Sequence, residues 1–201
     1  MLKNHAYNLL MAILIVLPLK ALSAQQSYTI DPIHTRVILR VMHADFSPSI
    51  GTVSQPTGMI WLDEKNLSNS RVVVEIPIIR LDMGDKQWTE KVTSSLLKID
   101  KFPIATFTST SVRVVSENLL EVDGELSVAG KSAAITFITT INANKRHPLT
   151  LKKTLGMQAF GNISRKALGI DAWPSVIGDR VHLDLAIEAT LSPHQQASKE
   201  P

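Results

Sequence analysis

The chain of 201 residues carries six histidines and no cysteine. Thiolate catalysis, disulfides and thiolate metal sites are thereby excluded. The histidines fall in no His-x-His or His-Glu-x-x-His spacing, so no motif places two imidazoles on one metal ion, and no metal ligand is assigned. Serine, histidine and aspartate are all present, but no Gly-x-Ser-x-Gly turn presents a nucleophile, and no catalytic residue is assigned either. The residue types therefore point away from a conventional enzyme and toward binding. His43 is the polar residue that stands out. It ends an apolar stretch, and an imidazole near neutral pH both donates and accepts hydrogen bonds. It could meet a polar group on a ligand; a histidine satisfied by its own backbone explains the position as well. His34 lies nearer the start of that stretch and reads as local packing or a turn. By parity Arg36 and Arg40 share its side, which reads as a solvated face, with a head-group site the lesser alternative.

Several features bound what can position these groups. Hydrophobic residues make up 44% of the chain, too many for extensive disorder. Lys and Arg number 21 against 18 Asp and Glu, a net +3 that is too small for a strong electrostatic nucleic-acid binder. The small basic cluster Asn144-Lys145-Arg146-His147 with Lys152-Lys153 lacks the interleaved aromatics of single-strand binders. It reads as a solvated hairpin end, with transient contact to an anionic membrane surface or an acidic partner as the alternative. Lys3, the apolar run Leu9–Leu19 and the small residues Ala21, Ser23 and Ala24 have the layout of a secretory signal peptide over 1–24. Cleavage there would export the mature protein and, by removing Lys3 and Lys20, lower its charge to +1. One domain over 25–192 and a polar tail over 193–201 complete the expected organisation.

The domain reads as strands. Val37, Leu39 and Val41 alternate with Ile38, Arg40 and Met42. Val181, Leu183, Leu185, Ile187, Ala189 and Leu191 share one parity against His182, Asp184, Glu188 and Thr190, the clearest strand in the sequence. Ala133–Ala143 alternates in the same manner, and Leu120–Val128 forms a further run in which Asp123-Gly124 suggests a bulge or turn. Ser47–Pro56, rich in Ser, Pro and Gly, reads as a loop. Pro77 argues against a long strand there, and Ile78–Leu81 resumes the extended pattern. Ile104–Ser109 and Ser111–Ser116 read as two segments. Asp85–Ser94 is the helical candidate: Asp85 can cap it, and Trp88 and Val92 lie four apart, with Leu96 extending their side. About eight extended segments, one short helix and no βαβ rhythm predict an all-β fold, an antiparallel barrel or sandwich. Periodicity leaves open whether the inward parity lines a cavity or fills a core.

The helical stretch also carries a family resemblance. Leu81-Asp82-Met83-Gly84-Asp85-Lys86, then Glu90 and Leu96-Leu97, then Asp100-Lys101-Phe102-Pro103-Ile104-Ala105-Thr106-Phe107 resembles the signature of the YceI-like family. Tyr28–Thr35 resembles its opening, Leu120–Lys131 the hairpin entering its second half, and Val176–Val181 with the last strand its close. The resemblance implies an exported, antiparallel, lipocalin-like β-barrel of about eight strands with the short helix near a mouth. It further implies an apolar cavity for a polyisoprenoid, an isoprenoid quinone or a similar amphiphile, held as a ligand and not as a cofactor, and a homodimer as a common assembly. Such a tube needs apolar walls and few polar groups, because hydrocarbon leaves water at about 25 cal/mol per Å² buried. On this basis the expected ligand-binding residues are Val37, Leu39, Val41, His43, Ile60, Val74, Trp88, Leu96, Phe107, Phe137, Leu183 and Leu185. A structural or stress-related interaction module without a dedicated lipid, or an accessory to a membrane quinone enzyme, are the alternatives. The chain departs from the family pattern at Lys91-Val92, where a His-Leu pair is common, and at Leu168, where an aromatic is usual. Both departures fall near the expected mouth.

Overall fold

A computed structural model describes residues 25–193. The expected signal peptide and all but the first residue of the expected tail lie outside the described residues. Eleven strands form one sheet that closes on itself: β1 (Gln26–Ile30), β2 (Arg36–His43), β3 (Ser47–Ser54), β4 (Thr57–Leu62), β5 (Arg71–Pro77), β6 (Leu81–Asp82), β7 (Ile104–Ser116), β8 (Leu119–Val128), β9 (Lys131–Arg146), β10 (Lys153–Ser164) and β11 (Ile177–Leu191).

The register shows how eleven segments make an eight-stranded barrel. β1 and β2 pair with successive lengths of the same edge of β11, at Tyr28↔Leu191 and at Val41↔Val181, so they are halves of one bent strand. β4 pairs with β1 and β3 with β2, a second bent strand. β5 pairs with β4 and β6 with β3, a third. Together with β7 to β11 they give eight antiparallel strands in closed order. Closure removes the unpaired sheet edges that would otherwise template aggregation.

The first bend is made by Asp31–Thr35. Asp31 Oδ1 accepts the backbone N–H groups of Ile33 and His34, at 2.8 and 3.3 Å, and His34 Nδ1 lies 2.9 Å from Asp31 Oδ2. Thr35, 2% exposed, then exchanges hydrogen bonds with the backbone of Glu188 and fastens the bend to β11. The second bend is at Gln55, whose φ of 60° breaks the strand before buried Pro56. The third is a 3₁₀ turn over Ile78–Arg80, where the sequence suggested an extended segment; Pro77 ends β5 and the chain turns before two residues of β6.

Ser47–Pro56 is a correction. Its first eight residues are β3, paired with β2 from Arg36↔Ser54 to His43↔Ser47. Its inward residues are small, Ser49 and Gly51 before Val53, so the hydrophobic alternation that marks a half-buried strand is missing. The volume they omit is filled by others: a Cβ on Gly51 would stand 2.5 Å from Met83 Sδ and 3.2 Å from Leu39 Cδ1. The segments around Ser109–Ser111 are likewise one strand. The irregularity suggested at Asp123-Gly124 lies on the opposite strand, where the register slips between Ser109 and Ser111. Gly124 leaves room for the Phe107 ring that lies over it.

One end of the barrel carries the turn 44–46, the long connection 83–103, the hairpin at Ala129-Gly130 and the loop 165–176. The other carries 63–70, Glu117-Asn118 and 147–152. The first is called the mouth and the second the base.

Candidate functional site: the barrel interior and its mouth

The inward parity of the strands does not fill the barrel. An upper cavity of about 280 Å³ lies under the mouth, and a lower one of about 100 Å³ lies toward the base. Val37, Ile76, Leu126 and Leu183 line both, so the two are stacked along one interior. Together they reach the ~300–1,000 Å³ range of small-molecule sites.

All twelve residues singled out in the sequence face this interior. Val37, Leu39, Val41, His43, Trp88, Leu96 and Leu183 line the upper cavity. Ile60, Val74, Phe107, Phe137 and Leu185 line the lower, with Val37 and Leu183 again. Phe107 and Phe137 meet edge to face, ring centroids 5.2 Å apart, an arrangement favoured by the ring quadrupoles. Phe137 lies against Gly161, where a Cβ would come within 2.8 Å of the ring. A glycine in each adjoining strand, Gly124 and Gly161, thus lets an aromatic enter a wall that would otherwise be too crowded.

The base is packed and polar-sealed. Tyr28, Leu155 and Ala189 have no exposed surface. The Tyr28 hydroxyl lies 3.0 Å from both Gln26 Oε1 and Asn144 Oδ1. Lys153 Nζ donates to Gln26 Oε1 at 2.9 Å and to Glu64 Oε1 at 2.5 Å. Burial pushes the Tyr28 phenol above its ordinary pKa, against the opposing pull of the Lys153 ammonium. Burial also disfavours the Lys153 charge, but Glu64 and Tyr28 together outweigh it and raise that group. Two members of the basic cluster read from the sequence, Asn144 and Lys153, are therefore parts of this seal.

The mouth has two lips. One is α1 (Lys86–Lys91), which runs into a π turn over Val92–Leu96. Asp85 Oδ1 accepts the Trp88 N–H at 2.9 Å, the expected cap, satisfying one of the donors a helix start leaves open. The π turn swings Leu96 inward, where it is buried, and places Val92 and Leu97 against the upper cavity as well.

The other lip is the loop 165–176, organised by Arg165, which is 3% exposed. Its Nε donates to Gly178 O at 2.9 Å, Nη1 to Ile170 O and Ala172 O at 2.6 and 2.9 Å, and Nη2 to Ile177 O at 2.7 Å. The Ser164 hydroxyl and the Lys166 N–H bind Asp179 beside it, and these bonds, the hydroxyl first, hold the Asp179 carboxyl below its ordinary pKa. The pinned loop carries Trp173 at φ 52°. A left-handed conformation at a bulky residue is an outlier that surrounding structure must enforce. Here the Trp173 carbonyl accepts N–H groups from both Val176 and Ile177, at 3.0 and 2.9 Å.

The two lips meet where Lys91 faces Trp173, and Trp88 of the first lip packs against the end of β2. Lys91 Nζ lies 5.2 Å from the Trp173 ring centroid, within cation–π range. His43 packs against Trp88 with ring centroids 5.6 Å apart. His43, Trp88, Lys91 and Trp173 all line the upper cavity and all are exposed. Lys91, Arg165 and Trp173 were not among the residues selected from the sequence. Lys91 had a signal, as a departure at the mouth; Trp173 had none, because a positive φ before Pro174 is not written in a pattern of residue types. His34, Arg36 and Arg40 line neither cavity: His34 belongs to the first bend, Arg36 Nη1 donates to Ile33 O and Thr35 O, and Arg40 lies 3.6 Å from Asp184. Asp31, His34 and Glu188 bring three ligand-type atoms within 4.8 Å of one another. Two of these groups, Asp31 and His34, are already bonded to each other within the bend.

Comparison with known proteins agrees with this geometry. A family model described as YceI-like domain matches residues 28–189. "Protein YceI" of Salmonella newport is 27% identical over 187 residues, covering 92% of this chain and 97% of the relative. The same protein of Salmonella arizonae matches at the same identity and coverage. Among solved structures, BcnA of Burkholderia cenocepacia superposes with a TM-score of 0.72 at 20% identity, covering 80% of this chain and 99% of that one. A polyisoprenoid binding domain from Saccharophagus degradans superposes at 0.64 and 13% identity, covering 83% and 99%. At these identities the structures are similar in fold alone.

Proposed function

The chain belongs to the YceI-like domain family, and from that premise we propose that it is an exported binding protein which holds an apolar chain, of polyisoprenoid, isoprenoid quinone or related amphiphile type, inside its barrel. The observation that carries this reading is the stacked apolar interior, packed shut at the base and open between two aromatic lips. A ligand entering tail first would exchange water for the twelve wall residues named above and leave its head at the mouth. At about 25 cal/mol per Å², each 100 Å² of chain removed from water contributes about 2.5 kcal/mol toward offsetting the cost of immobilising the ligand. The similarity to a polyisoprenoid binding domain supports the ligand class. The signal-like layout of residues 1–24 supports export to the periplasm.

Native mass spectrometry of gently purified protein, followed by solvent extraction, tests the proposal. The expected result is an adduct in the mass range of a long-chain amphiphile, released by extraction and retaken on reconstitution. Protein that is recovered without adduct and that takes up neither prenol nor quinone overturns it.

A further inference from the structure

The charge distribution around the upper cavity is one-sided. Among the described residues that line it, the only groups able to carry charge are His43, Lys91 and Arg165, and no carboxylate is among them. Arg165 is spent on four backbone carbonyls. Lys91 makes no ion pair with a carboxylate among the described residues; its contact is the face of Trp173. A cation–π contact leaves an ammonium's hydrogen-bond donors available, since the ring offers a diffuse negative face and no lone pair. The cavity thus ends in one uncommitted cation, with an imidazole as the second polar group, held over apolar walls. The four bonds from Arg165 pin the loop on either side of Trp173, whose ring faces Lys91.

We propose that the mouth is an anionic head-group site and that Lys91 is its specificity-determining residue, so that this barrel prefers a prenyl chain ending in carboxylate or phosphate over the same chain ending in a neutral hydroxyl. The shared chemistry is an oxyanion that accepts from the ammonium while its tail fills the interior. The inference rests on the carrier reading above and adds to it the sign of the head. A quinone or alcohol head accepts from the same ammonium but brings no charge of its own, so it forgoes the ion-pair attraction that a carboxylate or phosphate adds to the hydrogen bond.

The test uses three ligands with one tail: geranylgeraniol, geranylgeranoic acid and geranylgeranyl phosphate, titrated at low ionic strength against the wild type, Lys91→Gln, Lys91→Arg and Lys91→Glu. Lys91 is exposed, and thermal melts confirm that each variant is folded. Wild type is expected to bind both anions a few-fold tighter than the alcohol, the range that an ion pair with an exposed ammonium allows. Lys91→Gln should abolish that preference with little change for the alcohol, Lys91→Arg should keep it, and Lys91→Glu should invert it. Phosphate favoured without carboxylate narrows the head to a phosphate; both favoured alike supports selection by charge alone. Equal affinity of wild type for all three, or a parallel loss for all three in Lys91→Gln, overturns the head-group site while leaving the carrier intact. Failure of all three to bind overturns the head-group site, and the carrier falls with it only if the protein is also recovered without adduct and takes up no quinone.

Discussion

The base and the mouth of this barrel are built from the same strands yet solve opposite problems. At the base, Tyr28 and Lys153 are polar groups whose bonds run to side chains, Gln26, Glu64 and Asn144, and the network closes the interior. At the mouth, Arg165 is a polar group whose bonds run to backbone carbonyls, and it stiffens a loop while the opening beside it stays free. Side-chain networks seal because each member satisfies the next. A buried guanidinium on carbonyls shapes backbone, because its planar fork fixes several acceptors at once. The three strand bends lie between these regions, and the larger cavity is on the mouth side of them.

The largest expected effect lies at the mouth. Arg165→Met removes five donors from a site 3% exposed and leaves four carbonyls short of a partner. Hydrogen bonds to a charged group are worth about 1.5–3 kcal/mol each, but removing the guanidinium also relieves its own desolvation, so the net loss is about 2–4 kcal/mol. Urea denaturation measures it. Hydrogen exchange locates it: amides of 166–178 should lose protection first while those of β1 and β4 keep theirs. Uniform loss of protection around the whole barrel would erase the distinction between the two ends.

A smaller effect is expected at the base. Tyr28→Phe keeps the ring and deletes the hydroxyl from the network with Gln26 and Asn144. A cost of about 1–2 kcal/mol follows from a buried hydrogen-bonding group lost with its partners still in place. Prenyl-chain affinity at the mouth should not change. A tenfold drop in affinity for this variant would show that the base is part of the binding site and not its floor.

How far these regions could be read beforehand differs for physical reasons. β11 alternates cleanly because its inward side chains are large and its outward ones polar, and the Asp85 cap is visible because it depends on residue type at a set distance from the helix. The wall residues follow from that parity. β3 is hidden because its inward residues before Val53 are a serine and a glycine, Ser49 and Gly51, and Gly51 surrenders its volume to Leu39 and Met83. The bends conceal that β1 with β2, and β3 with β4, are continuous. The organising features of the mouth depend on where one guanidinium finds its carbonyls and on one tryptophan's φ, and neither leaves a periodic trace.

The smallest expected effect is at the first bend, where the base half of the leading strand joins the mouth half. The hydrogen bond and charge of Asp31 raise His34 above its ordinary pKa of 6.5. Burial pushes Asp31 upward, yet the bonds from the His34 ring and from the N–H groups of Ile33 and His34 prevail, and its carboxyl lies below 3.8. A raised histidine contributes stability that is fully present below its unfolded pKa and disappears as pH rises through the folded value. A depressed carboxyl contributes stability that is present above its unfolded pKa and disappears as pH falls through the folded value. The bend is therefore firmest between the two, in mildly acidic solution, and loosens toward alkaline pH as His34 loses its proton. His34 is exposed and solvent screens the pair, so the change in melting temperature should be slight. His34→Gln should flatten the decline between about pH 6 and pH 8 that follows from the histidine titration. An unchanged decline in the variant would assign that pH dependence to another group and leave the bend held by the Asp31 carboxylate on backbone N–H groups and by Thr35 on Glu188.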